Sequence, residues 1–576
     1  MPEEKKLTGY PSIDKPWKKY YENTTPSIPL PETSMYALLL ENSKTNPDRT
    51  ALNYYGRKIN YRVLIEKIDA VASALRSIGV HKGDIVSLCA LNIPEFFYLL
   101  YALNKIGAIS NWVGLTSPIA DLHEQLASTN SRIVFTINIA YPQIEKAAQN
   151  TKVEEIISIP IETSMPAFMK KAVSFKNRHL KNAGTPWKKF ISAAAGNTEE
   201  AVMLPNDVAV IEYTGGSTGV PKGVMLSNKA MNSHYVIFLT TNSSGITNFG
   251  ETEIVLCGVP LFLVFGICAC CHGPLCHGME LVLAPDPSPD ASVKIIMQSK
   301  VNHIIAGKPL INKLAEMAQN TKADLSFIRS IMYGGEETNK TWENSVRNEL
   351  KKYHLNAPIL NSYGMSETSA GVLTAPDDET DGLIPCAGVN VKIANPDNCN
   401  EEYGYGEEGE LCISTEKMML GYYNKPEETK DVFFEENGVR WLKTHDLAVI
   451  FPDGIIKITG RIKRIFYKLN SDNIPLRVYP MRIEEAIEKC DNVEKSAVIG
   501  VKDAVMAYRT IAYIILSDNA TDADEVRKQL EAYCHSNLPE NHWPDDYVFV
   551  ESFPITRAGK VDYRALEKRA EEMQQS

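Results

Sequence analysis

The sequence predicts an α/β protein, with strands and helices that alternate over most of the chain. Apolar residues with strand spacing and with helical spacing alternate along the chain to about residue 395. A run of short strands with turn glycines over 400–460 predicts a strand-rich stretch. After Gly460 a shorter α/β pattern returns. Strands that alternate with helices favour a parallel sheet covered by helices on both faces.

The individual elements follow in order. Residues 1–35, rich in Pro, Lys and Tyr, predict an irregular lead-in. Apolar residues at helical spacing predict a helix over 61–78, and DIVSLCAL (84–91) predicts a buried strand. A second helix is predicted over 96–109 and a second strand over 132–137. Further elements are predicted at VAVIEY (208–213), IRSIMY (328–333), RIEEAIEK (482–489), SAVIGV (496–501) and TIAYIILS (510–517).

Composition and charge exclude several classes of protein. Apolar residues make up 44% and charged residues 23% of 576, which excludes disorder, collagen and coiled coil for the chain as a whole. With 60 basic and 71 acidic residues the net charge is −11, so we expect no nucleic-acid partner. Eleven cysteines at low density are unlike a disulfide scaffold, and MPEEKKLTGYPSIDKPW has no apolar signal core. We therefore expect a cytoplasmic protein.

An uncharged stretch from Ile254 to Met279 raises two alternatives, a membrane span and a metal site. Gly258, Pro260 and Gly266 interrupt the stretch and basic flanks are missing, so we favour a buried strand, loop and helix and expect no transmembrane span. The five cysteines here do not form the two separated ligand arms of a zinc site. They are expected to be buried apolar side chains: Cys257, Cys268, Cys270, Cys271 and Cys276.

Residues 165–200 are basic and weakly patterned. We expect a solvated surface helix followed by a loop. The alternative is a patch that contacts anionic lipid or a carrier protein, which leaves peripheral membrane contact open.

The most informative segment is DVAVIEYTGGSTGVPKGVMLSN (207–228). A predicted strand leads into Thr214, Gly215, Gly216, Ser217, Thr218 and Gly219. Glycines allow backbone N–H groups to approach a polyphosphate, hydroxyls add donors, and Lys222 adds a positive charge. The loop is not a Walker motif, because Pro221 precedes the lysine and Gly223 follows it. This pattern favours a phosphate-binding loop.

YTGGSTGVPKG (213–223) resembles the signature loop of the adenylate-forming superfamily, which includes acyl-CoA synthetases, luciferases and peptide-synthetase adenylation domains. NSYGMSE (361–367) resembles the family's adenine- and magnesium-binding turn, and GELCIS…MLGYY (409–423), WLKTHD (441–446) and FPITRAGKVDYRAL (553–566) follow in the family's order. The resemblance extends from about residue 35 to about residue 565. It implies a large N-terminal adenylate-forming domain, built of layered α/β subdomains and a small β-rich subdomain, and a small mobile C-terminal α+β domain. We predict a lead-in at 1–35, the large domain at 36–459, a hinge at 460–463 and the small domain at 464–576.

The resemblance also implies roles for individual residues. Tyr363, followed by Gly364, would stack on adenine, Ser366 would donate to phosphate, and Glu367 would coordinate Mg²⁺. This cation favours one or two carboxylates plus phosphate oxygens. The stretch Tyr333–Glu336 would lie beside the adenine and the acyl pocket, and Gly335 and Glu336 are counted with the ATP site.

Further implied roles fall near the domain boundary and at the C-terminal end. Asp446 would accept hydrogen bonds from the ribose hydroxyls and Arg461 would contact ribose or phosphate. Lys463 would be the pivot of the hinge. Lys560 would reach the α-phosphate and the attacking carboxylate. Together with Glu367 and Lys222, Lys560 completes the implied catalytic set.

Several positions depart from the family's pattern. His445 stands where Gly is usual, Arg464 stands where an acidic residue is common, and the segment from Tyr467 to Tyr479 is longer than usual. In VPLFLVFG (259–266), Leu263 occupies a position where the family has His, which suggests an apolar passage for the acyl group.

The predicted function is a carboxylate–CoA ligase that uses ATP, CoA and Mg²⁺. It would form acyl-adenylate and pyrophosphate, and then acyl-CoA and AMP, from medium- or long-chain fatty acids. One alternative is a stand-alone adenylation enzyme that loads an acyl or aryl group onto a carrier protein. Another is a nucleotide-binding or membrane-docked protein with degenerate catalysis.

Overall fold

The structure is a computed structural model that describes residues 7–20, 29–177, 184–196, 198–214, 221–240, 253–335, 340–469, 475–503, 506–517, 522–556 and 560–575. The lead-in is not wholly irregular, because Pro11–Asp14 and Pro16–Tyr20 form helical turns. Trp17 is buried in the core of the β-rich subdomain, which holds these turns in place.

Helices and strands alternate in the first part of the chain. Its helices are α1 (Pro11–Asp14), α2 (Met35–Ser43), α3 (Tyr61–Ser77), α4 (Pro94–Lys105), α5 (Ile119–Thr129), α6 (Tyr141–Ala147), α7 (Ala167–Lys176) and α8 (Trp187–Ser192). Its strands are β1 (Thr50–Tyr54), β2 (Arg57–Asn60), β3 (Ile85–Cys89), β4 (Ile109–Val113), β5 (Ile133–Ile137), β6 (Glu155–Ile159) and β7 (Thr185–Pro186).

The helix predicted over 61–78 and the strands predicted over 84–91 and 132–137 are confirmed. The helix predicted over 96–109 was too long, because the chain turns at Gly107 with φ of 76° and begins β4 at residue 109. The loop expected in the basic segment 165–200 was also wrong in part. It contains α8, whose Trp187 and Phe190 are buried against Phe135.

The middle of the chain continues the alternation. Its strands are β8 (Val208–Tyr213), β9 (Gly223–Ser227), β10 (Ile254–Cys257), β11 (Glu280–Leu283), β12 (His303–Ala306), β13 (Ser330–Gly334) and β14 (Ile359–Met365). Its helices are α9 (Asn228–Thr240), α10 (Val264–Ile267), α11 (Gly273–Cys276), α12 (Pro289–Ser299), α13 (Lys308–Thr321) and α14 (Lys340–Lys351).

A π-helical turn at Cys268–His272 joins α10 to α11, which confirms a strand, loop and helix for the uncharged stretch. All five of its cysteines are buried. Within the described ranges, no helix combines the length and apolar character that crossing a membrane requires.

The remaining elements form the β-rich subdomain and the small domain. The subdomain and its surroundings contain β15 (Ala370–Thr374), β16 (Ile384–Pro385), β17 (Asn390–Asn395), β18 (Asn398–Glu402), β19 (Gly409–Ser414), β20 (Gly421–Tyr422), α15 (Pro426–Val432), β21 (Phe433–Glu436), β22 (Val439–Ile450) and β23 (Ile456–Arg461). The small domain contains β24 (Phe466–Leu469), β25 (Pro475–Val478), α16 (Pro480–Ile487), β26 (Val493–Asp503), β27 (Ala507–Leu516), α17 (Ala523–Asn537), β28 (Asp546–Phe549) and α18 (Tyr563–Gln575). The strand-rich character predicted for 400–460 is confirmed.

Two large sheets form the layered core. One has the strand order β16-β15-β14-β13-β12-β10-β11-β1-β2, and the other has the order β20-β9-β8-β4-β3-β5-β6-β7. Pairs from β14 to β1 and from β8 to β7 are parallel, as the βα pattern predicts, and antiparallel strands lie at the edges. Side chains from both sheets and from α4 share the largest buried cluster.

Three smaller sheets complete the fold. The β-rich subdomain has the order β18-β17-β19-β22-β21, and β23 pairs with β22. The small domain has a β24–β25 hairpin and a sheet in the order β26-β27-β28. Tyr422 of β20 and Asp446 of β22 contact residues in or directly after β14, so segments that are distant in sequence meet around the end of β14.

Candidate active site

The predicted phosphate loop connects the antiparallel strands β8 and β9. The Thr214 N–H donates to the Lys222 carbonyl at 3.0 Å, and the Lys222 N–H donates to the Thr214 hydroxyl at 3.2 Å. The two ends of the loop are therefore held together. The predicted loop residues Gly215, Gly216, Ser217, Thr218 and Gly219 lie outside the described residues, and their roles stay predictions.

Tyr422, to which the sequence analysis gave no role, connects two predicted catalytic residues. The Lys222 ammonium nitrogen lies 4.6 Å from the centroid of the Tyr422 ring, within the range of a cation–π contact. The Tyr422 hydroxyl donates to Glu367 Oε1 at 2.7 Å. Burial and the neighbouring carboxylate raise the pKa of Tyr422, so the phenol stays protonated and remains the donor at neutral pH.

Strand pairing explains this contact. Strand β20 pairs antiparallel with β9, with Tyr422 opposite Val224, and this pairing brings residue 422 beside residue 222. The sequence segment MLGYY therefore contributes to the site through an edge strand of the second sheet.

Glu367 lies in a short 3₁₀ turn, Ser366–Thr368, directly after β14. The turn predicted for all of NSYGMSE was wrong, because residues 361–365 are part of β14. Gly364 permits this strand to approach β15 closely, since a Cβ at this position would lie 2.1 Å from the Ala370 carbonyl oxygen. The Met419 N–H donates to the Glu367 carbonyl at 2.8 Å, so the main chain and the side chain of Glu367 are both held.

Tyr363, Asp446 and Arg461 form a second group. The Tyr363 hydroxyl donates to Asp446 Oδ2 at 2.6 Å, and Arg461 Nε lies 2.9 Å from Asp446 Oδ1. Burial, and then the Asp446 carboxylate, raises the pKa of Tyr363 well above its ordinary value. The three residues predicted from separate motifs are therefore in direct contact.

A bulge in β22 directs Asp446 toward this group. Glu410 of β19 pairs with Leu447 and Cys412 pairs with Lys443, so one residue of β19 faces three of β22. His445, within the bulge, has φ of 58°, a conformation that favours glycine. Its N–H donates to Glu410 Oε1 at 2.9 Å. The substitution of His for the usual Gly is thus accommodated without losing the left-handed conformation.

Gly335 follows β13 with φ of 84°, a left-handed conformation that favours glycine. The preceding Gly334 lies so close to β14 that a Cβ would be 2.3 Å from the Ser362 carbonyl oxygen. The predicted Glu336 lies outside the described residues.

The predicted acyl-channel residue Leu263 is half-buried at the start of α10. The Gly266 N–H donates to the Leu263 carbonyl at 2.7 Å, which closes a tight turn. A Cβ on Gly266 would lie 2.2 Å from the Pro260 carbonyl oxygen, so the turn requires glycine here. These contacts fix the backbone that carries Leu263.

The predicted hinge and the C-terminal lysine belong to different local structures. Lys463 lies in a 3₁₀ turn, Ile462–Arg464, after β23. Arg464, which departs from the family's pattern, pairs with Glu484 at 2.5 Å and stacks on the Tyr563 ring at 3.8 Å. The Lys560 N–H donates to the Thr556 hydroxyl at 3.2 Å, so these two residues of the small domain are held together. A role for Lys560 at the phosphate stays a prediction.

Glu367 fits the predicted Mg²⁺. One of its oxygens accepts from Tyr422, and a carboxylate has further lone pairs for a cation. Mg²⁺ needs few protein ligands when phosphate oxygens supply the others. In the described part of the chain, no three His, Cys, Asp or Glu side chains are grouped to hold a metal, so the nucleotide would have to supply most of the ligands.

The chain is similar to known proteins over most of its length. The family model described as AMP-binding enzyme matches residues 39–423, and the model for its C-terminal domain matches residues 482–560. A long-chain-fatty-acid–CoA ligase of Bacillus subtilis is 27% identical, over 96% of this chain and 97% of its own length. 4-Coumarate–CoA ligase 3 of Oryza sativa subsp. japonica is 24% identical, over 89% of this chain and 88% of its own. A solved anthranilate CoA ligase bound to anthranoyl-AMP has a TM-score of 0.78 at 20% identity, covering 94% of this chain and 98% of that one.

Proposed function

This chain belongs to the family of AMP-binding enzymes, and on that premise we propose that it is an ATP-dependent carboxylate–CoA ligase acting on medium- or long-chain fatty acids. One observation carries the proposal, the contact of Lys222 and Glu367 with the same tyrosine, Tyr422, at the base of the phosphate loop. A cation and a carboxylate held together there suit a polyphosphate and its Mg²⁺. The fatty-acid ligase among the relatives supports the choice of substrate.

The first step joins the acid to ATP. A carboxylate oxygen attacks the α-phosphorus, a new P–O bond forms, and the P–O bond to pyrophosphate breaks. The carboxylate and the polyphosphate of ATP are both anions. Catalysis therefore depends on positioning the two reactants and on offsetting their negative charge. In this proposal Lys222 and the backbone of the 215–219 loop bind phosphate oxygens, and Lys560 reaches the α-phosphate. Mg²⁺ bound by Glu367 would offset the charge that develops on pyrophosphate.

The nucleoside would be held by the second group of residues. Asp446 now accepts from Tyr363 and Arg461, and it is nearly inaccessible to solvent. A ribose diol offers two hydroxyl donors to such a carboxylate. Tyr363 would then present its ring to adenine, as the family resemblance implies, while Arg461 stays near ribose or phosphate.

The second step transfers the acyl group to CoA. The thiolate attacks the carbonyl carbon, the C–O bond to AMP breaks, and AMP leaves as an anion. We propose that the small domain, 464–576, turns about Lys463 in the 460–463 hinge between the two steps. The turn would carry Lys560 away from the reacting atoms and admit CoA.

The acyl group would occupy an apolar passage beside Leu263. An aliphatic residue here, instead of His, favours a hydrocarbon chain over a polar acid. All eleven cysteines are free thiols, which supports a reducing compartment, and we propose the cytoplasm.

The proposal is tested by incubation with ATP, Mg²⁺, CoA and a panel of acids, including octanoate, palmitate, 4-coumarate and benzoate. Mass spectrometry detects acyl-adenylate and acyl-CoA separately. We expect acyl-CoA from the aliphatic acids, with the aromatic acids slower by at least about tenfold, since a hydrocarbon pocket discriminates by about 1–3 kcal/mol. Acyl-adenylate without thioester would exclude CoA as the acceptor and favour a carrier protein.

A further inference from the structure

Helix α7 presents an apolar and basic face that the proposed reaction does not use. One side of the helix carries four residues at the spacing i, i+3, i+4 and i+7: Phe168, Lys171, Ala172 and Phe175. We call these four residues the α7 face. Phe168 is 76% exposed and Phe175 is 69% exposed, which is unusual for aromatic side chains.

Contacts made by the opposite side of α7 determine that the α7 face points away from the core. Met169 and Val173 are partly buried and pack on the main core. The Ser174 hydroxyl donates to Glu162 Oε1 at 2.8 Å, and Glu162 is itself buried. Rotation of the helix to bury the phenylalanines would break these contacts. The two rings therefore project outward as part of the folded structure.

The chain segment that contains α7 is strongly basic, although the net charge of the whole chain is −11. No Asp or Glu occurs between residues 163 and 198. The same stretch contains seven basic residues: Lys170, Lys171, Lys176, Arg178, Lys181, Lys188 and Lys189. Of these, Lys170, Lys171 and Lys176 lie on α7 itself and are exposed. The local charge is thus opposite in sign to that of the whole molecule.

We propose that the α7 face docks the protein on the surface of an anionic lipid bilayer. Phe168 and Phe175 are two helical turns apart, about 10 Å along the axis, so both rings reach one plane when the helix lies parallel to the surface. Aromatic side chains enter the boundary between headgroups and acyl chains, and lysines beside them attract anionic headgroups.

A lipid surface suits these side chains better than an acidic protein does. Two aromatic rings that project from a convex helix surface need a partner whose surface can deform around them. A lipid bilayer can deform in this way. An acidic carrier protein would account for the lysines but would not use the large exposed area of the two phenylalanine rings. The inference goes beyond the proposed ligase activity, since none of these residues belongs to the active site.

The test is sedimentation of the full chain with vesicles, in the absence of ATP, acid and CoA. Vesicles of phosphatidylcholine alone are compared with vesicles that contain about 30% phosphatidylserine, a typical anionic content. We expect at least about tenfold tighter binding to the anionic vesicles. Binding should fall steeply at about 1 M NaCl, where charges are screened within about 3 Å.

Two double variants test whether the α7 face carries the binding. Phe168→Asp with Phe175→Asp should weaken binding to anionic vesicles at least about tenfold, because it removes both rings and adds repulsive charge. The matched control is Ile13→Asp with Met573→Asp, which changes two side chains that are 63% and 60% exposed elsewhere. The control should bind as the unchanged protein does.

Equal binding to both kinds of vesicle, or equal loss in both double variants, would overturn the proposal. Binding to an acidic acyl carrier protein without binding to anionic vesicles would also overturn the proposal. Ligase turnover on water-soluble octanoate should be the same in the unchanged protein and in the α7 variant, which also shows that the variant is folded. Vesicle binding without any ligase turnover would contradict only the proposed function.

Discussion

At the scale of single residues, Tyr422 is the contact that organises the candidate active site. Its hydroxyl donates to Glu367 and its ring lies under Lys222, although 55 residues separate it from the glutamate. Burial in the site raises its pKa, so it acts as a hydrogen-bond donor and not as a base.

Tyr422→Phe removes the hydroxyl and keeps the ring. A hydrogen bond to a charged group contributes about 1.5–3 kcal/mol, so we expect acyl-adenylate formation to fall by about tenfold or more. Exchange of labelled pyrophosphate into ATP measures this step directly. Tyr423→Phe is the matched control and should keep the exchange rate of the unchanged protein. Equal rates in both variants would show that the Tyr422 hydroxyl does not support Glu367.

Much of the site was predictable from local sequence, since Glu367, Asp446 and Arg461 lie in contiguous motifs. The role of Tyr422 was not, because its position depends on the pairing of β20 with β9. Two adjacent tyrosines in MLGYY give no local signal that distinguishes the one that faces Glu367. Lys417 is a similar case, since a fully buried lysine that donates to the Gly371 carbonyl has no signature in its own segment.

At the scale of elements, the alternation of strands and helices was predictable and some boundaries were not. Helix α4 is buried along its whole length, so its apolar residues continue into β4 without a change of pattern. Gly107 marks the boundary, but a single glycine inside an apolar run is compatible with either structure. The strand character of 361–365 was also hidden, because Gly364 reads as a turn residue.

Helix α4 also contains a buried carboxyl group that makes stability depend on pH. Glu95 lies in its first turn, accepts from the Ser164 hydroxyl at 2.6 Å, and has its pKa raised by burial to about 7. The ordinary value is 4.5. A raised pKa of an acid stabilises the fold below pH 4.5, and this contribution is lost as the pH rises through 7.

Glu95→Gln removes this titration. From pH 5 to pH 8, the free energy of unfolding of the variant should rise relative to that of the unchanged protein, by on the order of 2 kcal/mol. The change is measured from the midpoints of urea unfolding at both pH values, with tryptophan fluorescence as the signal. Glu66→Gln, at an exposed position on α3, is the control and should follow the unchanged protein. A difference between Glu95→Gln and the unchanged protein that does not vary with pH would contradict the assignment.

At the scale of the whole molecule, the proposed reaction needs two arrangements of the large and small domains. In the structure, Arg482 of the small domain pairs with Glu408 of the β-rich subdomain at 2.7 Å. The Glu408 side chain also accepts from Thr459, just before the proposed hinge. An exposed pair of this kind contributes little, about 0–1 kcal/mol, so it does not prevent the small domain from turning.

The Lys560→Ala variant tests whether the two reaction steps use different arrangements of the domains. We expect acyl-adenylate formation to fall on the order of 100-fold, because a positive charge at the α-phosphate is lost. Capture of preformed acyl-adenylate by CoA should change little, since Lys560 has moved away by then. Single-turnover assays of each step measure both rates. Lys568→Ala, at an exposed position on α18, is the control. Equal losses in the two steps of Lys560→Ala would contradict a domain rotation.

The central claim is that a carboxylate oxygen attacks the α-phosphorus of ATP. Turnover of a fatty acid labelled with ¹⁸O in both carboxyl oxygens, with ATP, Mg²⁺ and CoA, tests this claim, and mass spectrometry of the nucleotide reads the result. The proposed chemistry predicts AMP that carries one labelled oxygen, together with unlabelled pyrophosphate. Unlabelled AMP, or ADP together with labelled phosphate, would contradict it.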